Sequence, residues 1–163
     1  MKKRMMNLLL ELLKDSKRSD RELAKVLGLS QPTVSRMRSR LVKEGVIKGF
    51  TVVPDFTKIG YEIMAITAIK MKVSKMVELE KKAREYMKSK PNVLFASGGA
   101  QGIGKNGVMI SLHRSYSDFS VFLRNHMQYW GDAIEDHITI FVSLKEMIVK
   151  PFSLTYLGEQ EQT

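Results

Sequence analysis

Residues 18–41 read RSDRELAKVLGLSQPTVSRMRSRL, and this stretch carries the local signals of two short helices joined by a tight turn. Ser19, followed three residues later by Glu22, forms a capping box, which predicts a helix over about residues 20–27. Gly28 follows, where a helix can end in the left-handed region that glycine enters at low cost. The spacing predicts a helix-turn-helix, in which the second helix crosses the first steeply.

The second helix of this pair is predicted over residues 30–43, with Ser30 as its N-cap and Pro32 in its first turn, where a missing N–H costs nothing. One side of it is apolar and consists of Val34, Met37 and Leu41. The opposite side carries hydroxyls and guanidiniums and no carboxylate, whereas an ordinary solvated helix mixes both signs of charge. We interpret residues 30–43 as a recognition helix for the major groove of DNA; the alternative is a merely solvent-exposed basic face.

The candidate DNA contacts divide by chemistry. Arginine can bind guanine, and glutamine adenine, through two hydrogen bonds each, so the candidates for base contacts are Gln31, Ser35 and Arg36. Side chains that hold phosphates position a protein without reading sequence. The candidates for this role are Thr33, Arg38, Ser39, Arg40, Arg18, Arg21 and Lys48.

The positive charge is concentrated in the first third of the chain. Residues 1–50 contain 13 Lys and Arg against 5 Asp and Glu, a net charge of +8, whereas residues 51–163 contain 14 against 12, a net charge of +2. This asymmetry predicts two modules, the first of which faces a polyanion. The opening MKKRMMNLLLELLKDS is basic and then apolar, like a signal peptide, but Glu11 interrupts its apolar run. We therefore interpret it as an amphipathic helix over about residues 4–14. With no membrane-length apolar run and no cysteine, we expect a cytoplasmic protein.

The boundaries between modules follow from turn and strand signals. Gly45 ends the recognition helix, and the β-branched residues after it predict a strand in which Gly49 turns a short wing, until Pro54 breaks it. The tail after Lys150 starts with possible packing residues and ends polar, and that polar end is expected to be frayed. The expected organisation is a helix-turn-helix domain over residues 1–50, a linker strand over 51–60, a second domain over 61–148 and a tail over 149–163.

The residues from Gly60 onward predict the order β-α-β-β-α-β. Alternation places Ile63, Ala65, Thr67, Ile69 and Met71 on one face of the first strand. The side of the first helix that faces the sheet is predicted to consist of Met76, Leu79, Ala83 and Met87. The corresponding side of the second helix is predicted to consist of Phe119, Phe122, Leu123, Met127 and Trp130. The order is typical of an α+β, ferredoxin-like sandwich with both helices on one face of an antiparallel sheet. Apolar residues on the other face predict a second copy as its cover, and a homodimer also suits a palindromic DNA site.

Two further motifs have simpler interpretations. GAQGIGK at residues 99–105 has the G-x-x-x-x-G-K spacing of a phosphate-binding loop, but Asn106 stands where serine or threonine is required and a strand-like run follows. A glycine hairpin is the favoured interpretation, and nucleotide binding is the alternative. The three histidines lack ligand spacing, and no nucleophile–base–acid set is identifiable, so we predict no enzyme, cofactor or metal site.

The whole pattern resembles the Lrp/AsnC (leucine-responsive regulatory protein, or feast/famine) family of transcription regulators over about residues 5–148. The motifs that carry the resemblance are Arg18-Ser19, Glu-Leu-Ala at 22–24, Gly-Leu-Ser at 28–30, Glu-Gly-Val-Ile at 44–47 and Gly49-Phe50, followed by the β-α-β-β-α-β module.

The resemblance implies DNA binding by the first module, homodimers that can assemble further, and an amino-acid effector held between second modules. It assigns effector binding to the hairpin with Gly102, Gly104 and Asn106, where the aspartate frequent in the family is missing. A changed ligand or none therefore stays open, and with it two alternatives: an effector-independent architectural DNA-binding protein, or a small-molecule sensor with ligand-gated DNA binding.

Overall fold

The computed structural model describes residues 2–159, apart from the side chains of residues 76–78, and the chain folds into two compact units. The first unit consists of the chain up to Val53 together with the residues from Lys150 onward, and the second is Pro54–Val149. The C-terminal residues thus belong with the first unit, whereas the sequence predicted a separate tail. None of the described helices is long and apolar enough to cross a membrane.

The first unit is built on three helices: α1 (Lys3–Lys14), α2 (Asp20–Leu27) and α3 (Gln31–Lys43). The predicted capping box is confirmed, since the Glu22 amide donates to Ser19 Oγ at 3.2 Å and the Ser19 amide donates to Glu22 Oε2 at 2.7 Å. Gly28 ends α2 with a φ of +63°, as predicted. Ser30 is the N-cap residue of α3, but its hydroxyl contacts Thr33 Oγ1 at 2.8 Å instead of capping an amide.

Apolar side chains from all three helices form one core. Its buried members are Met5, Leu8, Leu12, Leu23, Ala24, Val34 and Leu41. Four of these residues, Leu8, Leu23, Val34 and Leu41, have no exposed surface at all. Because the turn over residues 28–30 is short, the shared core fixes the angle between α2 and α3. The side of α3 opposite this core faces solvent.

The segment between α3 and the second unit contains no strand. The amides of Val46 and Ile47 donate to the Leu41 carbonyl at 2.9 and 3.1 Å, which closes the end of α3. Val52 is 73% exposed, and no backbone ladder forms over residues 48–55. The strand predicted after Gly45 and the linker strand predicted over 51–60 are therefore not formed, because β-branched residues favour a strand only beside a neighbour that completes its hydrogen bonds.

The second unit has the predicted order of elements. They are β1 (Ile63–Met71), α4 (Val73–Lys88), β2 (Val93–Ser97), β3 (Gly107–His113), α5 (Tyr116–Trp130) and β4 (Ile134–Ser143). The strands form one antiparallel sheet in the order β2-β3-β1-β4, which confirms the α+β, ferredoxin-like prediction.

The two faces of the sheet differ in cover. On the inner face, Ala65, Thr67 and Ile69 are buried, as the alternation predicted, and Met109 and His113 of β3 are buried on the same side. The helices supply Tyr86, Phe119, His126 and Trp130 as buried side chains. Leu79, Ala83 and Met87 are partly buried, and the prediction for Met76 falls on a side chain outside the described residues.

The outer face carries an apolar row that is exposed at both ends. Cross-strand pairing places Phe95, Ile110, Ile66 and Ile140 side by side across all four strands. Phe95 at its β2 end is 53% exposed and Ile140 at its β4 end is 61% exposed, and the neighbouring Ile138 is 51% exposed. The outer face therefore exposes neighbouring apolar side chains, and exposed apolar patches often mark interaction sites.

The C-terminal residues return to the first unit and form a short helix, α6 (Thr155–Gly158). Gly158 is buried against α1, where an added Cβ would lie 2.6 Å from the Leu10 carbonyl oxygen. Lys150 Nζ lies 3.8 Å from the centre of the Tyr156 ring. The first residues of the tail thus pack on the helical core, and the expectation of a frayed polar end falls largely on residues 160–163, which lie outside the described residues.

Candidate nucleic-acid interface

The exposed side of α3 is polar and contains no acid. Val34 and Leu41 are buried and Met37 is half-buried, so the helix is anchored by the side that the sequence predicted. The residues that face solvent from the other side are Gln31, Ser35, Arg36, Ser39 and Arg40. No Asp or Glu occurs between Gln31 and Lys43, so nothing on this face repels an approaching phosphate.

The three arginines of α3 have different partners. Arg36 makes no ion pair within the described residues, and its guanidinium is available to a ligand. Arg40 Nε donates to Glu44 Oε1 at 2.6 Å, and both side chains are exposed. Arg38 is only 25% exposed and lies among partners inside the unit. The three arginines therefore lie on the same helix but differ in their exposure and in their partners.

Arg38 connects α3 to the start of α2. Its Nη2 donates to the Arg18 carbonyl at 2.8 Å, and its Nε lies 2.9 Å from Asp20 Oδ1. That second contact has the distance of an ion pair without the alignment of a hydrogen bond, since neither atom has a hydrogen-bond partner among the described residues. Arg38 thus holds the recognition helix against the turn that precedes α2.

Arg18 is tied down at both ends. Its carbonyl accepts from Arg38, and its Nη1 donates to Glu11 Oε2 of α1 at 2.5 Å. Lys14 donates to the other Glu11 oxygen at 2.6 Å. The hydrogen bond from Lys14, followed by that from Arg18, holds the pKa of the Glu11 carboxyl below its usual value. A chain of contacts from α1 through Arg18 therefore fixes the position of α3.

The remaining predicted DNA contacts lie in the same unit. Arg21 on α2 and Lys48 beyond α3 are exposed and make no ion pair within the described residues. Thr33 is half-buried, with its hydroxyl occupied by Ser30. Of the ten predicted positions, Arg38 and Arg18 are the two whose guanidiniums are partly buried and bonded within the unit.

The glycine loop of the second unit lies between the antiparallel strands β2 and β3. Gly102 and Gly104 have φ values of +113° and +68°, and Ile103 between them has +45°. Asn106 clips the loop to the sheet: its Oδ1 accepts from the Met71 amide and its Nδ2 donates to the Met71 carbonyl, both at 2.8 Å. This geometry confirms the hairpin and excludes a phosphate-binding loop, which would open a helix.

The Asn106 side chain is therefore engaged with the sheet, whereas Gly102 and Gly104 are exposed. Among the side chains that the structure describes, no group of three or more His, Asp or Glu is placed to hold a metal ion.

Comparison with known proteins agrees with this architecture. The sequence profile described as winged helix-turn-helix DNA-binding matches residues 1–48. The HTH-type transcriptional regulator PH0061 of Pyrococcus horikoshii is 33% identical over 107 residues, which cover 66% of this chain and 68% of the relative. The regulator LrpA of Pyrococcus abyssi is 32% identical over 75 residues, which cover 46% of this chain and 53% of LrpA. The chain belongs to the Lrp/AsnC family of transcription regulators.

Solved structures extend the agreement over both units. The crystal structure of PH0061 has a TM-score of 0.78 at 25% identity and covers 94% of this chain and 97% of that one. An AsnC family regulator from Agrobacterium tumefaciens has a TM-score of 0.76 at 21% identity, covering 96% and 99%, which shows the shared fold. The chain spans about half the length of several curated relatives that it matches, 47% for PF1734 of Pyrococcus furiosus and 53% for LrpA.

Sequence reasoning missed one functional pairing in this Lrp/AsnC chain. The sequence predicts Arg38 as a phosphate contact and assigns no role to its partner Asp20. A signal was present: Asp20 and Glu22 are the only acids between residues 19 and 43, and Glu22 is committed to the capping box. An Asp in the first turn of α2 next to a basic helix was thus the natural partner for one of its arginines.

Proposed function

We propose that this protein is a sequence-specific transcription regulator that binds double-stranded DNA by inserting α3 into the major groove. The observation that carries the proposal is the acid-free exposed side of α3, held by a buried core, with the unpaired guanidinium of Arg36 near its middle. Helix-turn-helix proteins read base edges from the N-terminal half of the second helix, which is where Gln31, Ser35 and Arg36 lie. Because its partner is DNA, we place the protein in the cytoplasm.

The basic residues divide into readers, phosphate contacts and supports. Arg36 and Gln31 have the chemistry to bind guanine and adenine edges. Arg40 has to leave the exposed carboxylate of Glu44 to reach a phosphate, which costs little because surface ion pairs are weak. The proposed phosphate contacts are Thr33, Ser39, Arg21, Lys48 and Arg40. Arg38 and Arg18 are proposed to support the recognition helix instead, because their guanidiniums are bonded inside the unit.

The test begins with selection of bound sequences from random DNA, followed by anisotropy titrations of the selected and a random duplex at several salt concentrations. The affinity should fall steeply with salt, because phosphate contacts release counterions. The Arg36→Ala variant should lose about 1–3 kcal/mol of discrimination, roughly 5- to 150-fold. Arg124→Ala is the matched control, since it removes one exposed, unpaired arginine from α5.

Equal losses on both duplexes, with a salt slope lowered by about one, would move Arg36 from base reading to phosphate contact. An affinity for DNA that does not change with salt would refute the proposed interface as a whole.

We further propose that two copies pair through the outer face of the sheet. An apolar row crosses all four strands and consists of Phe95, Ile110, Ile66 and Ile140. In a two-fold dimer the same row of a second copy would pack against it, apolar surface against apolar surface. A two-fold pair would present two recognition helices to a palindromic site.

Light scattering after size exclusion tests this pairing. Ile140→Lys should convert the dimer to a monomer, because it places a charge on an apolar row. Val121→Lys is the matched control: Val121 is 49% exposed on α5, away from the outer face. A wild-type monomer at micromolar concentration, or an Ile140→Lys dimer, would contradict the proposal.

An amino-acid effector at the glycine loop is also proposed. A regulator from Neisseria meningitidis with the same fold, at 15% identity and a TM-score of 0.74, is described as a complex with L-Met. In this chain the exposed backbone at Gly102 and Gly104 is the proposed contact, and Asn106 is proposed to hold the loop in shape.

A thermal shift screen with the common amino acids separates the alternatives, because a ligand that binds only the folded state raises the melting temperature. A shift that is lost in Gly104→Val supports an effector site at the glycine loop, and no shift across the screen favours an effector-independent regulator.

A further inference from the structure

The second unit contains a cavity of about 630 Å³ between α4, the end of α5 and the inner face of the sheet. Its walls are mostly apolar, with Ile69, Leu79, Ala83, Met87 and Met109 among the lining residues. A volume of this size lies within the range of about 300–1,000 Å³ that small-molecule sites occupy. Gly102 and Gly104 do not line the cavity, whereas Gly98, Gly99 and Gly107 at the two ends of the same β2–β3 connection do.

One polar side chain in the cavity wall is left without a partner. His126 lines the cavity and is 1% exposed, and its Nδ1 has no hydrogen-bond partner among the described residues. Its neighbours are aromatic rings, which offer no strong acceptor: the centres of Tyr86, Phe122 and Trp130 lie 5.4, 5.9 and 6.1 Å away. A buried polar atom without a partner is unfavourable, and a ligand group that bonds to it removes that cost.

The charges around the cavity favour an uncharged occupant. Arg84 and Glu80 both line it, but they are paired with each other at 2.5 Å. Burial lowers the pKa of His126 to about 4, so the imidazole is neutral near pH 7 and offers one donor and one acceptor. The described lining thus contains no unpaired charge to bind an ionic group.

We propose that this cavity is a binding site for a small, mainly apolar, uncharged molecule, whose single polar group hydrogen-bonds to His126. The occupant has an aromatic or branched hydrocarbon body that fills the space between α4 and the sheet. Its chemistry differs from that of a free amino acid, which brings two charges. The proposal stands apart from DNA binding, because every residue that carries it belongs to the second unit.

The test compares 2-naphthol with naphthalene, two probes of similar shape of which only the first has a hydroxyl. Each probe is titrated into the full-length protein, and binding is followed by NMR because both naphthyl rings fluoresce in the same region as tryptophan. Methyl spectra of protein labelled at methionine locate the probe. We expect saturable shifts at Met71, Met87 and Met109, and none at Met5 and Met37 of the first unit.

Two variants test separately the role of the cavity volume and the role of the hydrogen bond to His126. Ala83→Phe fills the space and should abolish binding of both probes, whereas Val121→Phe adds the same side chain at an exposed site on α5 and should not. His126→Leu should weaken 2-naphthol about 3- to 10-fold while leaving naphthalene within about twofold.

Absence of saturable binding by wild-type protein, or methyl shifts outside the cavity, overturns the site. Equal weakening of both probes by His126→Leu overturns the assigned role of His126. The wild-type titrations and methyl map need no variant, so they decide the matter even where a substitution prevents folding.

Discussion

Truncation of Arg38 and truncation of Arg36 are expected to have different effects, although the two residues lie two positions apart on α3. In Arg38→Ala, the Arg18 carbonyl loses a charged donor at 2.8 Å and Asp20 loses a cation at 2.9 Å. A hydrogen bond to a charged group contributes about 1.5–3 kcal/mol, and an exposed ion pair about 0–1 kcal/mol. With about a quarter of both side chains in solvent, we expect a loss of about 2 kcal/mol. Arg36→Ala should stay within about 0.5 kcal/mol, as is usual for unpaired surface residues.

Hydrogen exchange of the α2 and α3 amides in the full-length protein measures this difference. A loss of about 2 kcal/mol should speed exchange about 30-fold in Arg38→Ala, whereas Arg36→Ala should match the wild type within about twofold. DNA binding should show the reverse order once the experiment is run at a temperature where both variants are folded. Wild-type exchange rates in Arg38→Ala would refute the supporting role of this residue. So would a coupling energy near zero between Arg38→Ala and Asp20→Asn in a double-mutant cycle.

Two further substitutions and one change of pH have expected outcomes. Gly28→Ala should destabilise the first unit by about 1 kcal/mol through the left-handed backbone alone, since nothing lies within 4 Å of the added Cβ, whereas Gly49→Ala should be neutral or stabilising in the same exchange experiment. Gly158→Val should release α6 and expose α1 to faster exchange, because a Cβ there would lie 2.6 Å from a carbonyl oxygen; unchanged exchange in α1 would contradict this. Burial lowers the pKa of His126 from 6.5 to about 4, so protonation opposes folding, and stability present above pH 6.5 is lost as the pH falls, by about 3 kcal/mol at pH 4. Urea unfolding followed by Trp130 fluorescence should show this loss in the wild type and a smaller one in His126→Leu.

The features predicted well from the sequence are those set by neighbours along the chain. The capping box of Ser19 and Glu22 and the turn at Gly28 depend on residues within one helical turn, and both occur as predicted. Alternating and helical periodicity predict the order of helices and strands along the chain. Because that order is typical of a ferredoxin-like sandwich, the sheet of the second unit was also predictable.

The features that the sequence did not predict correctly depend on contacts with residues distant in sequence. The helical pattern could place Arg38 on a flank, but it could not place Asp20 beside it across the turn. The β-branched residues around Val52 suggested a strand, but strand formation needs a neighbouring ladder, which the described chain does not supply there. Burial of His126 was equally invisible, because a lone histidine on an amphipathic helix does not reveal the rings that surround it.

The docking of α6 on α1 has a consequence for the order in which the protein is made. The residues of α6 follow the whole second unit in the chain, so the ribosome produces this packing partner of α1 only after it has made the second unit. A nascent chain released before Lys150 would carry all three helices of the helix-turn-helix unit but not the segment that covers α1. Full stability of the unit proposed to bind DNA is therefore reached only by chains that have been translated beyond the second unit.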